Sequence, residues 1–115
     1  MPKNTLSHKA LPADQADRLT QLGQRIRLAR KRRRITLNTL ASRMFVDEKT
    51  LRRLEKGDPG VSLGVLVTAL FCLDLENDLD RVADLKTDDV GNILDRQRYD
   101  KTQRVREKKD RKLDF

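Results

Sequence analysis

The sequence predicts an all-α fold, built as a compact domain of five helices. Two segments between Thr36 and Gly57 carry apolar residues at the spacing of a helix face, and a good N-capping residue precedes each of them. The stretch before them carries one apolar stripe, and the stretch after them is apolar on several faces. We expect three parts: a disordered N-terminal arm (1–12), the helical domain (13–85) and a charged C-terminal tail (86–115).

The segment from Thr36 to Gly57 predicts two short helices joined by a tight turn. The Thr36 hydroxyl and the Asp47 carboxylate can each accept a hydrogen bond from a free backbone N–H at the start of its helix. The small Ala41 lets the second helix cross close to the first. The apolar positions that face inward are Leu40, Ala41, Met44, Leu51 and Leu54. This arrangement is a helix-turn-helix, in which the outer face of the second helix enters the major groove of DNA.

The helix before this motif begins near Ala13 and ends in an unbroken run of cations. Its apolar stripe, at i, i+3, i+7 and i+10, consists of Leu19, Leu22, Ile26 and Ala29. A solvated helix end that interacts with the helix dipole is one interpretation of the cations. Because like charges in a row repel each other, contact with DNA phosphates is the interpretation we favour beside a helix-turn-helix. The residues concerned are Lys31, Arg32, Arg33 and Arg34.

The fourth helix is apolar most of the way round. Ser62 is its expected N-cap, after the turn cluster at residues 57–60. We expect an inward stripe of Leu63, Leu66, Ala69, Leu70 and Leu73. A second subunit is the expected cover for the remaining apolar positions, and we place Val65, Phe71 and Cys72 in a homodimer interface. A fifth helix is expected through Leu75, Leu79, Val82 and Leu85. We also expect a short helix over residues 90–94, and beyond it the stretch 104–112 is too charged to fold alone.

The run from Leu22 to Gly57 resembles the lambda-repressor/Cro-like (XRE-type) helix-turn-helix regulators. The shared pattern is Arg-x-Arg on the first helix, Leu-Ala on the second and Thr-Leu-x-x-Leu-Glu-x-Gly at the end of the third. The chain departs from it at Phe45, where a turn glycine is usual, and at Leu37, where many members have a glutamine that contacts a phosphate. The basic ending resembles that of HipB-like antitoxins, which pair with HipA-family serine/threonine kinase toxins.

The resemblance implies roles for the third helix. The base-reading positions fall on Glu48, Lys49 and Arg53, and the phosphate-contacting positions fall on Thr50 and Arg52. Arginine or lysine can donate to guanine, and glutamate can accept from cytosine, although Glu48 could instead pair with Arg52. The resemblance also gives Glu55 an internal ion pair, which we expect to be with Arg25 or Arg27.

Composition limits the classes of function. The chain has 26 Lys and Arg against 18 Asp and Glu, a formal charge of +8, which suits an anionic partner. Residues 18–56 alone hold 13 cations and 3 anions, a net +10. Aromatic content of 3% argues against base stacking on single strands. With one His and one Cys, no nucleophile–base pair is available, so we expect no enzyme, no metal site and no cofactor.

These features predict a dimeric, sequence-specific transcriptional repressor. We expect it to be cytoplasmic, because no apolar run is long enough to span a membrane, and associated with the nucleoid as a DNA-binding protein. Its expected partners are an operator in double-stranded DNA, a second copy of the chain and, for an antitoxin, a HipA-like kinase. A phage- or host-type regulator with no toxin partner is the main alternative, and an RNA-binding adaptor is a third.

Overall fold

The computed structural model describes the backbone of residues 11–113 and the side chains of residues 11–109. All regular secondary structure in this part of the chain is helical, and it contains no strand, so the all-α class is confirmed. Most of the expected N-terminal arm lies outside the described residues. The elements are α1 (Ala13–Arg32), α2 (Leu37–Arg43), α3 (Glu48–Glu55), α4 (Leu63–Cys72), a short 3₁₀ helix (Glu76–Arg81) and α5 (Asp89–Leu113).

The core lies among the first four helices. Leu40 of α2, Leu51 of α3 and Leu73 at the end of α4 are fully buried. Ile26 of α1 and Met44 pack into the same cluster. These are apolar positions that the helical spacing predicted, and their burial holds α2 and α3 against α1 and α4.

Three of the helices begin with the expected side-chain caps. The backbone N–H of Thr39 donates to Thr36 Oγ1 (3.1 Å), and that of Thr50 donates to Asp47 Oδ1 (2.8 Å). At the start of α4, the N–H of Val65 donates to Ser62 Oγ (3.2 Å). The predicted beginnings of α2, α3 and α4 are therefore confirmed.

Two glycines bring α1 close to the end of α3. A Cβ atom on Gly23 would lie 2.5 Å from the backbone O of Glu55 and 2.6 Å from the backbone N of Gly57. Gly57 has a φ of +77° and ends the helix in the left-handed conformation that glycine favours. Close packing of the two backbones therefore depends on the absence of a side chain at position 23.

The finer description, five helices in one compact domain, is not supported. The chain divides into two units, one ending at Leu79 and one beginning at Asp80. Where a fifth helix was expected, the chain forms only the 3₁₀ helix and then turns, with Val82 and Leu85 exposed. The local reason is visible at Asp84, whose side chain accepts from the N–H of Lys86 and so competes with helical hydrogen bonding.

Two further expectations were wrong. Leu63 was placed on the inward stripe of α4, but it is 79% exposed, because it lies at the first position of the helix, beyond the core. A short helix was expected over residues 90–94 and no independent folding over residues 104–112, but α5 continues without a break to Leu113. Its beginning is capped by Asp88, whose Oδ1 accepts from the N–H of Gly91 (2.9 Å), and its Arg, Lys, Gln and Glu residues have high helix propensity.

None of the helices within residues 11–113 is long and apolar enough to cross a membrane.

Candidate nucleic-acid interface

A tight turn through residues 44–47 joins α2 to α3. Phe45 adopts the left-handed conformation (φ 57°) that glycine usually occupies, and the residue is 96% exposed. The N–H of Val46 donates to the carbonyl O of Ala41 (3.1 Å), which closes the turn against the end of α2. Leu40 and Leu51 are buried on the two sides of the turn, so α3 is held in a fixed orientation on α2.

The outer face of α3 is polar and basic. Leu51 and Leu54 point into the core, which leaves the other side of the helix to Glu48, Lys49, Arg52 and Arg53. Lys49 and Arg52 are exposed, and Glu48 and Arg53 are partly exposed. The residues that the sequence assigned to base contacts therefore lie on one short helix.

Two ion pairs organise this outer face. Arg52 donates from Nη2 to Glu48 Oε2 at 3.4 Å, so the i,i+4 pairing considered from the sequence is present, as a long and exposed contact. Arg53 donates from Nε to Asp58 Oδ2 at 2.8 Å. This hydrogen bond raises the pKa of Arg53 further above its already high ordinary value, so the guanidinium is charged.

The basic run follows directly at the C-terminal end of α1. Its four side chains, Lys31, Arg32, Arg33 and Arg34, are all exposed. Arg33 donates from Nη1 to the carbonyl O of Ala29 (2.9 Å), and Arg34 adopts a left-handed backbone conformation (φ 55°) that turns the chain toward α2. Thr50, the other expected phosphate contact, is partly buried at the start of α3, where its N–H is occupied by the Asp47 cap.

The internal ion pair of Glu55 is formed with Arg30. The guanidinium donates from Nε to Glu55 Oε2 (2.7 Å) and from Nη2 to Oε1 (3.0 Å), and a third bond joins Nη1 to the carbonyl O of Ile35 (3.0 Å). Arg30 is only 8% exposed. The expectation of Arg25 or Arg27 was wrong, since both are exposed on the outside of α1. Arg30 follows Ile26 by four residues and so lies on the buried stripe of α1. This spacing was the feature of the sequence that could have identified Arg30 as the partner of Glu55.

A basic cleft lies over this buried pair. Its volume is about 250 Å³, and the residues that line it are Arg27, Arg30, Leu37, Arg52, Glu55 and Lys56. Since Arg30 and Glu55 neutralise each other, the remaining cations give the cleft a positive charge. Leu37 lies in the wall of the cleft and cannot supply the side-chain hydrogen bond of a glutamine.

The expected dimer residues divide between two environments. Val65 and Cys72 are partly buried and pack against the protein's own core. Phe71 is 64% exposed, and it forms a stripe at i, i+4 and i+8 with the exposed Leu63 and Val67. Of the three residues, only Phe71 therefore lies on an uncovered apolar surface of α4.

Within the described residues, no group of three or more His, Cys, Asp and Glu side chains could hold a metal ion. Comparisons with known protein families, with characterised proteins and with solved structures find no match for this chain.

Proposed function

We propose that this protein is a sequence-specific DNA-binding repressor whose helix-turn-helix is of the lambda-repressor/Cro-like type. The observation that carries the proposal is the placement of Glu48, Lys49 and Arg53 together on the outer face of α3, the helix that follows the tight turn. An α-helix fits the major groove, and outward-facing side chains of its N-terminal half reach the base edges. Glu48 and Lys49 lie in the first turn of α3, and Arg53 follows Lys49 by four residues on the same face of the helix. Arginine is the side chain that most often reads guanine, through O6 and N7.

The charge distribution supports binding to the DNA backbone beside the bases. The exposed run from Lys31 to Arg34 ends α1 just before the motif, and Arg27, Arg52 and Lys56 surround the adjacent cleft. Cations at such positions would neutralise phosphates and release counterions, so binding should weaken steeply with salt. Phosphate contacts fix the register of the protein on the duplex, whereas the outer face of α3 selects the sequence.

We propose that the protein binds DNA as a homodimer. One α3 of eight residues is about 12 Å long and can reach only a few base pairs. Two copies related by a two-fold axis would read two half-sites. The exposed stripe of Leu63, Val67 and Phe71 is an apolar surface that a second copy could cover.

An antitoxin role rests on the resemblance of the basic ending to HipB-like proteins, and the partner would then be a HipA-like kinase. The exposed apolar residues of α5, among them Ile93, Leu94 and Tyr99, offer a surface for a protein partner. A regulator without a toxin partner remains the second candidate. The two candidates predict different binding. An antitoxin should form a stable complex with a HipA-like kinase encoded next to it, whereas a regulator without a toxin partner should not.

The proposal is tested with duplexes selected by the wild-type protein from a randomised double-stranded library. Arg53→Ala should reduce discrimination at one base position in each half-site by about 1–3 kcal/mol. Arg32→Ala should instead weaken binding to all duplexes alike and lower the salt slope by about one. Equal losses on every sequence for both variants would contradict the division into base and phosphate contacts, and failure of the wild type to bind duplex DNA would contradict the function.

A further inference from the structure

Asp58 connects α3 to the turn that follows it. One carboxylate oxygen, Oδ2, accepts from Arg53 Nε at 2.8 Å. The other, Oδ1, accepts from the backbone N–H of Gly60 at 2.7 Å. The turn thus fixes the carboxylate, and the carboxylate in turn fixes the orientation of the Arg53 guanidinium. Neither group is buried away from solvent, since the two side chains are 43% and 36% exposed.

We propose that Asp58 is a positioning residue that holds Arg53 for guanine recognition. The inference rests on the proposed function, and it names a second residue, outside the helix, on which base discrimination depends. A guanidinium has five N–H donors in a fixed planar fork, and the bond to Asp58 uses the one on Nε. A bidentate contact to guanine O6 and N7 uses two donors, so one planar group can make both interactions.

Preorganisation explains why such a bond would favour specificity. A free arginine side chain has many rotamers, and it must give up that freedom to make a bidentate contact. A side chain whose guanidinium is already held by Asp58 loses less conformational entropy on binding. It is also less able to turn to a neighbouring phosphate when the wrong base is present. Positioning should therefore affect discrimination at one base position more than total affinity.

The other pair on this face does not have the same construction. The Arg52–Glu48 contact is 3.4 Å long and joins an exposed residue to a partly exposed residue of the same helix. Glu48 is itself a candidate base-contacting residue, and no hydrogen bond to a turn holds its carboxylate among the contacts of the described residues. Asp58 differs because the short bond to Gly60 fixes it independently of Arg53.

The test uses Asp58→Asn in the full-length protein. Asparagine keeps the size of the side chain and can still accept from the Gly60 N–H through Oδ1, but its Nδ2 cannot accept from Arg53. The probes are the duplex selected by the wild type and its single-base-pair variants. We expect discrimination at the Arg53-dependent position to fall roughly 3- to 10-fold, part of the 5- to 150-fold that a bidentate guanine contact provides, with the other positions unchanged.

Controls separate positioning from charge and from folding. Asp74→Asn makes the same charge change at an exposed residue after α4 and should leave discrimination intact. In an Arg53→Ala background, Asp58→Asn should have no further effect at that base position, because there is no guanidinium left to position. Asp58→Ser provides a second variant, since a serine hydroxyl can also accept from the turn N–H if the asparagine variant does not fold.

Three results would overturn the inference. Asp58→Asn could raise affinity for every duplex without changing discrimination, which would mean that the carboxylate only repels phosphate or keeps Arg53 from contacting DNA. It could also reduce discrimination equally with and without Arg53. The third result is a wild-type protein that binds DNA selectively while Asp58→Asn leaves its affinity and its selectivity unchanged. A wild-type protein that selects no sequence would instead contradict the proposed function.

Discussion

Replacing Glu55 with Gln tests the buried ion pair that joins α1 to α3. The substitution keeps the shape of the side chain, but it leaves the charge of Arg30 uncompensated at a site that is 8% exposed. Breaking a buried pair by removing one partner costs about 3–5 kcal/mol. The amide oxygen of Gln can still accept one of the two hydrogen bonds that Glu55 now accepts, so we take the lower end, about 3 kcal/mol. For a unit of this size, that corresponds to a Tm lower by roughly 12–24 °C.

Thermal unfolding followed by circular dichroism measures this difference. The matched control is Glu48→Gln, the same chemical change on the same helix. It breaks the exposed 3.4 Å pair with Arg52 and removes a negative charge from the first turn of α3, and it should cost about 0.5–1 kcal/mol. Replacing both buried partners, as Arg30→Met with Glu55→Leu, should restore much of the lost stability, because no unpaired charge remains. A Glu55→Gln variant no less stable than the Glu48→Gln control would refute the assignment of a buried, charged pair.

The other predictions concern backbone packing, pH and assembly. Gly23→Ala should lower the free energy of unfolding by about 1–3 kcal/mol, because its Cβ would lie 2.5 Å from a backbone O. The control Gly64→Ala, whose Cβ would have only an ordinary 3.8 Å contact, should raise the free energy of unfolding by about 0.5–1 kcal/mol. Equal effects of the two substitutions in denaturant titrations would be inconsistent with this packing. Hydrogen bonding to Thr50 lowers the pKa of Asp47, so the ionised Asp47 carboxylate stabilises the folded state. This contribution to the free energy of unfolding is present above the ordinary pKa of about 3.9 and is lost as the pH falls through the lower folded-state pKa. Asp47→Asn, which retains an N-cap, should remove this contribution, and an Asp47 that titrates at or above its ordinary pKa by NMR would contradict the prediction. Phe71→Lys should give a folded monomer in sedimentation with much weaker operator binding, and a monomeric wild type at high concentration would exclude the dimer proposed here.

The parts of the fold that the sequence predicted are those that local chemistry determines. Thr36, Asp47 and Ser62 cap their helices as expected, because an N-cap depends on contacts only two or three residues away. The inward positions of α2 and α3 were also predictable, since Leu40 and Leu51 follow the helical spacing of a single buried face.

Contacts between distant residues could not be predicted in the same way. Several arginines of α1 had the charge to pair with Glu55, and only the packing of α1 on α3 selects Arg30. The bond from Arg53 to Asp58 depends on the path of the turn after α3, which the residue types at 57–60 do not specify. The beginning of α5 was expected as a short helix, but its continuation to Leu113 was not, because the segment has little apolar surface and its helicity depends on the high helix propensity of its charged residues.

The central claim is that the outer face of α3 reads a DNA sequence. Selection of duplexes from a randomised library by the full-length protein, followed by sequencing, tests it most directly. We predict enrichment of one two-fold symmetric motif whose half-site centres lie about 34–36 Å apart along the duplex, and loss of preference at one position per half-site with Arg53→Ala. A selected library without an enriched motif, to which the protein binds only through salt-sensitive phosphate contacts, would contradict the claim.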